Sequence, residues 1–141
     1  MPTVSTDVPE YQEPERLSGR YAFRCIRSVG QMEDDGVTLR NLILTWSCID
    51  GPPLKDGESA MGREVTQFIP FYEKESWKDN YKASIKELKS KLFSFSEVDP
   101  SNWDTDTEFL GKELWAVCRP GEDINGLVVD QIRNFIGPYE D

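Results

Sequence analysis

The sequence contains no histidine and only three cysteines. Histidine is the commonest general base and metal ligand, so its absence removes the usual basis for acid–base catalysis and for metal binding. Cys25, Cys48 and Cys118 are odd in number and far apart, which fits neither a disulfide framework nor a zinc site. We interpret them as buried thiols in a reducing cytoplasm, and we predict no catalytic residue, no metal and no cofactor.

One acidic segment has the spacing with which a calcium loop begins, because Asp104, Asp106 and Glu108 alternate with other residues. However, Phe109 stands where such a loop needs its turn glycine, and no glutamate occupies the twelfth position. We therefore predict a solvated acidic loop rather than a metal site.

Long apolar runs are also missing. No segment approaches the roughly 18 apolar residues that a membrane-spanning helix needs. The N-terminus lacks the basic and then apolar layout of a signal peptide. We therefore expect a cytoplasmic protein with no membrane partner.

Positive charge is scarce, since 16 lysines and arginines face 26 acidic residues and the net charge is −10. The acids are unevenly placed: residues 94–113 carry −5, whereas residues 73–93 carry +2. The field of a surface charge decays over about 8 to 10 Å at physiological salt. The balance argues against a simple nucleic-acid binder but leaves room for a local basic surface.

The first 18 residues differ in composition from the rest. They contain three prolines among polar and acidic residues and show no hydrophobic periodicity. Such a segment buries too little apolar surface to offset the entropy of ordering it. We predict a flexible N-terminal arm over residues 1–18 and a single domain over residues 19–141.

Five segments of this domain are typical of β-strands, and one amphipathic helix lies between the third and the fourth. The predicted strands span residues 21–29, 39–50, 63–72, 114–119 and 127–136, and the predicted helix spans residues 76–93. This element order is that of the OB-fold, a five-stranded Greek-key barrel. We therefore predict a mainly β fold of this class.

The predicted helix carries an apolar stripe at spacings of three and four residues, formed by Trp77, Tyr81, Ile85, Leu88 and Leu92. Residues at this spacing share one helix face. We predict that this face closes the bottom of the barrel, while a parallel stripe of lysines is solvated.

Arginine and aromatic residues interleave along the predicted strands. Guanidinium groups bind phosphates in a bidentate manner and aromatic rings stack on bases, so this combination suits an oligonucleotide groove. The candidate nucleic-acid-binding residues are Arg24, Arg40, Arg63, Tyr72, Trp77, Trp115, Arg119 and Arg133. In the alternative interpretation, the arginines pair with the many carboxylates and the aromatic rings fill the barrel.

Several short motifs resemble a family of phage-encoded OB-fold single-stranded DNA-binding proteins from replication and recombination gene clusters. The resemblance spans residues 19–136 and rests on Gly19-x-Tyr21, Asp50-Gly51-Pro52, Gly62-Arg63, Leu88, Leu110-Gly111-Lys112-x-Leu114 and Asn134-Phe135-Ile136. It implies a non-enzymatic, sequence-nonspecific binder of single-stranded DNA in the host cytoplasm. We also predict replication or recombination proteins as candidate partners, and a homo-oligomer as a candidate assembly.

Two other functions remain open. An acidic surface can mimic nucleic acid or dock a basic partner, which would make the chain an interaction module or a counter-defence inhibitor. An oligosaccharide is the third candidate ligand, because the same barrel face can hold sugars.

Overall fold

The computed structural model describes residue 3 and residues 15–140, and within them it confirms the predicted order of elements. The strands are β1 (Gly19–Met32), β2 (Leu39–Asp50), β3 (Glu64–Pro70), β4 (Glu113–Glu122) and β5 (Val128–Pro138), and the helix is α1 (Asp79–Ser96). Most of the predicted arm lies outside the described residues. No helix in the described part of the chain is long and apolar enough to cross a membrane.

The five strands form one antiparallel sheet in the order β3-β2-β1-β4-β5. The long strand β1 lies at its centre and pairs with β2 along most of its length and with β4 near its start. The end strands β3 and β5 contact each other, but no ladder of hydrogen bonds joins them within residues 15–140. The mainly β class is confirmed, whereas the sheet is not closed into the predicted barrel.

Register shifts mark β-bulges, which bend and coil the sheet. The pairing of β1 with β2 skips Ile26, Arg40 and Ile49. The pairing of β4 with β5 skips Arg133 and Ile136. Two of the predicted binding arginines, Arg40 and Arg133, therefore occupy bulges, where a side chain points in a different direction from its neighbours.

One hydrophobic core lies on the inner side of the sheet. Trp46 is fully buried at its centre, where its ring lies 5.6 Å from that of Phe135 and its Nε1 donates to Gln67 Oε1. All three cysteines are buried and free, as their interpretation as buried thiols requires. The core also includes Leu17, which lies just before β1 and has 0% exposure.

The helix confirms only part of its predicted apolar stripe. Leu88 and Leu92 are buried, together with Phe93, which packs on the rings of Trp103 and Phe109. Tyr81, in contrast, is 46% exposed. The helix also begins three residues later than predicted, because Lys78 is extended with ψ 149°.

Candidate nucleic-acid interface

Strand β1 places three arginines on the outer face of the sheet. Arg20 and Arg24 are exposed while Tyr21 and Phe23 between them are buried. The bulge at Ile26 shifts the alternation by one residue, so that Arg27 also faces outwards. We call the surface of β1 and its neighbours that carries these side chains the outer face.

Strands β4 and β5 extend this face with two more arginines. Arg119 follows Val117 at a spacing of two, and Val117 lies opposite Arg20 in the sheet register. Arg133 occupies its bulge on β5 and donates to the Pro120 carbonyl at 3.3 Å. Arg119 and Arg133 line one shallow groove.

The five outer-face arginines differ in their partners. Arg24 pairs with Glu113 at 2.7 Å and Arg27 pairs with Glu64 at 2.9 Å, and both pairs are substantially exposed. Exposed pairs of this kind contribute only about 0 to 1 kcal/mol, so a phosphate can compete for the guanidinium. Among the described residues, no ion pair involves Arg20, Arg119 or Arg133. These three cations are therefore available to an anionic ligand.

An apolar row lies further along the outer face. Val29, Ile43 and Phe68 are opposite one another in the register of β1, β2 and β3. Phe68 is 64% exposed and Val29 is 53% exposed. A row of this kind offers an apolar surface, and Phe68 supplies an aromatic ring on which a base can stack.

Trp115 is partly buried on the outer side of β4. Its ring centroid lies 5.6 Å from that of Tyr139, whose hydroxyl donates to Asp50 Oδ2 at 3.0 Å. The register places Trp115 opposite Ala22 of β1, between the positions of Arg20 and Arg24. Among the predicted site residues, Arg24, Trp115, Arg119 and Arg133 thus share the outer face.

Three other predicted site residues form a separate cluster near the start of α1. Arg40 Cζ lies 4.7 Å from the centroid of the Tyr72 ring, and the Tyr72 and Trp77 rings are 5.4 Å apart. Trp77 in turn meets Tyr81 edge-on at 4.9 Å. Arg40 also pairs with Glu33 at 3.4 Å. These side chains contact mainly one another, and they lie apart from the arginines of the outer face.

Arg63, the remaining predicted site residue, forms a largely buried ion pair. Its Nε lies 3.2 Å from Asp130 Oδ2, and its guanidinium also donates to the Glu15 carbonyl. The side chains are only 21% and 7% exposed. For Arg24, Arg40 and Arg63 the structure therefore shows the carboxylate pairing of the alternative interpretation.

An acidic loop lies against β1 next to Val29, on the side that Ser28 and Gly30 face. The Gly30 N–H donates to Asp106 Oδ1 at 3.1 Å, which brings the loop with Asp104 and Asp106 against β1. A hydrogen bond from the Asp106 N–H is the main cause that lowers the pKa of the Asp104 carboxyl below its ordinary value. Within the described residues, no group of three or more potential ligands is arranged to hold a metal ion.

Arg20, Arg27 and Phe68 are not among the site residues predicted from the sequence. The outward direction of Phe68 is predictable, because strand alternation places it on the face opposite to the buried Val65 and Ile69. The outward direction of Arg27 is not predictable, because strict alternation from Arg24 places Arg27 inside, and the bulge that reverses this leaves no signal in the sequence.

No protein-family model matches this chain, and no curated protein matches it significantly. The resemblance to phage single-stranded DNA-binding proteins therefore stays a prediction.

Proposed function

We propose that this protein is a non-enzymatic, sequence-nonspecific single-stranded DNA-binding protein with an OB-fold. The observation that carries the proposal is the outer face, where Arg20, Arg119 and Arg133 have no carboxylate partner among the described residues. In a chain with a net charge of −10, three unpaired arginines on one surface form a local cationic site.

The topology supports the OB-fold assignment. The OB-fold is a partly open Greek-key barrel, and an unclosed sheet whose end strands touch each other fits that description. The helix between β3 and β4 packs its Leu92 and Phe93 end into the core. The strand-2 and strand-3 surface of this fold commonly receives oligonucleotides, and Phe68 lies on that surface.

In the proposed binding mode, the arginines and the apolar row of the outer face bind different parts of the DNA. The arginines bind the phosphates, while a base stacks on Phe68. Arg20 and Arg27 are seven residues apart on β1, which corresponds to roughly 23 Å of extended strand. A track of that length accommodates a few nucleotides, within the range of about 4 to 16 known for one OB-fold.

A second candidate function is protein docking, and the apolar row favours it. Val29 and Phe68 are exposed, and the acidic loop with Asp106 contacts β1 at Gly30, next to Val29, so a partner with an apolar centre and a basic rim would complement this surface. A replication or recombination protein in the cytoplasm is the partner class that we propose for this surface. Self-association through the same row would have to overcome the −10 charge of each copy.

Binding of fluorescent oligo-dT, followed by anisotropy, tests the proposal. We expect saturable binding of micromolar order at about 50 mM salt, weakening as salt is added. If no binding occurs at high protein concentration, the DNA-binding proposal fails and protein docking becomes the better account.

A further inference from the structure

A hollow of about 470 Å³ lies between α1, the segment that follows it and the end of β3, and it shares no residue with the outer face. Its apolar walls are formed by Phe71, Phe93, Val98 and Pro100. The hollow is open to solvent, and its volume is within the range of about 300 to 1,000 Å³ that is usual for small-molecule sites. We call it the α1 hollow.

Among the described residues that line the α1 hollow, Lys89 alone carries a charge. Its Nζ lies 4.8 Å from the centroid of the Phe71 ring. Lys89 is only partly exposed, whereas Lys86, one turn earlier on α1, is exposed as the sequence predicts for the lysine stripe. The ammonium of Lys89 therefore lies against an apolar wall rather than in open water.

This ammonium has no bound counter-ion within the part of the chain that the structure describes. No ion pair there involves Lys89, and the carboxylate of Glu73 lies 3.6 Å from Lys82 Nζ instead. Burial is the main cause that lowers the pKa of the Lys89 amine below its ordinary value of 10.5, and it outweighs the opposing attraction of Glu73. A ligand that brings a negative charge to Nζ would offset this loss of hydration.

We propose that the α1 hollow binds a small carboxylate with an apolar tail, such as a medium-chain fatty acid. The carboxylate accepts a charge-assisted hydrogen bond from Lys89 Nζ, while the tail packs against Phe71 and Phe93. A single ammonium matches the single charge of a carboxylate, whereas a phosphate monoester carries about 1.5 to 2 negative charges at neutral pH. An inorganic anion would leave the apolar walls uncovered. The site is separate from the outer face and does not depend on the proposed function.

Titration of the ¹⁵N-labelled protein with octanoate, followed by NMR, tests this inference. The backbone amides of Ser90, Ser94 and Val98 report binding, because these residues line the hollow. We expect saturable shifts with a dissociation constant of about millimolar order or lower, as for a ligand of this size. Octanol is the matched neutral ligand, and it should bind about tenfold more weakly, because it cannot form the charge-assisted hydrogen bond. The net charge of −10 disfavours nonspecific binding of an anion, so a preference for octanoate reports a local cation.

Substitutions of Lys89 separate its charge from its packing. Lys89→Met keeps an apolar chain over the Phe71 ring but removes the ammonium, so octanoate should bind about tenfold more weakly and octanol as before. Lys89→Arg keeps the charge and should keep the preference for octanoate. Lys86→Met is the matched control, since it removes the same charge from an exposed position on the same helix. It should leave both affinities unchanged.

Three results would overturn the inference. The first is the absence of a saturable shift with octanoate, which would mean that Lys89 only covers the Phe71 ring with its stem. The second is equal affinity for octanoate and octanol in the wild-type protein. The third is an equal loss of octanoate affinity in Lys89→Met and Lys86→Met, which would assign the preference to the general field of the helix. These experiments contain no DNA, so their outcome leaves the proposed function untouched.

Discussion

Arg63 and Asp130 form an ion pair that links the two ends of the sheet, with 3.2 Å between Nε and Oδ2. Arg63 directly precedes β3, and Asp130 belongs to β5. Asp130 Oδ1 also accepts the N–H of the buried Leu17 at 2.6 Å. One carboxylate thus connects both end strands and the segment that leads into β1, at a place where no β3–β5 ladder is seen in the described residues.

The first prediction concerns this ion pair. Asp130→Asn keeps an oxygen for the Leu17 N–H but leaves the largely buried guanidinium of Arg63 without a counter-ion. We expect the free energy of unfolding in urea to fall by about 3 kcal/mol, the lower end for breaking a buried pair. The control is Arg27→Met, which breaks an exposed pair and should cost less than about 1 kcal/mol. Equal losses in the two variants would contradict the structural role of Asp130.

The second prediction concerns alkaline stability. Burial raises the pKa of Cys25 to about 11 and that of Cys118 to about 12, from an ordinary value of 9.0. In the unfolded chain these thiols ionise near pH 9, whereas in the folded protein they stay protonated. The stability they contribute is therefore complete below pH 9 and is lost as the pH rises towards 11 and 12.

We expect the melting temperature, followed by circular dichroism, to fall between about pH 9 and pH 10.5. A Cys25→Ala and Cys118→Ala double variant should show a shallower fall, although it is less stable throughout. A melting temperature of the wild-type protein that stays flat across this range would show that the thiols are not desolvated in the folded state.

The third prediction compares how much the two halves of α1 contribute to the stability of the fold. Leu92 has 0% exposure, so Leu92→Ala should cost about 2 to 5 kcal/mol as a large-to-small core substitution. Tyr81 is 46% exposed, and Tyr81→Ala should cost much less. Urea unfolding measures both. A loss for Tyr81→Ala as large as that for Leu92→Ala would mean that the whole stripe, as predicted from the sequence, packs in the core.

The element order was predictable because alternation and helical spacing are local signals. The direction and the partners of several side chains, in contrast, were not predictable. Arg27 faces outwards only because of the bulge at Ile26, and Arg63 is occupied by an aspartate 67 positions away in the chain. Tyr81 has the right spacing for a core face, yet its ring packs on Trp77. Spacing reveals which residues share a face, but not which neighbour covers it.

The fourth prediction concerns the aromatic ring of the apolar row. Phe68→Ala should weaken oligo-dT binding by about 1 to 3 kcal/mol, the usual effect of losing one stacked base. The salt dependence should stay the same, because stacking releases no counterions. Tyr81→Ala serves as the control, since Tyr81 is also exposed but lies outside the outer face. Unchanged affinity in Phe68→Ala would remove the apolar row from the DNA path and favour protein docking.

The salt dependence of oligo-dT binding in Arg119→Gln and Arg133→Gln tests the central claim most directly. Each arginine that contacts a phosphate should reduce the slope of log affinity against log salt by roughly 0.7 when it is neutralised. Arg40→Gln is the matched control, because Arg40 is a strand arginine that pairs with Glu33 and stacks on Tyr72. The account predicts a reduced slope in the first two variants and the wild-type slope in Arg40→Gln. An unchanged slope in Arg119→Gln and Arg133→Gln, or the same reduction in Arg40→Gln, would contradict it.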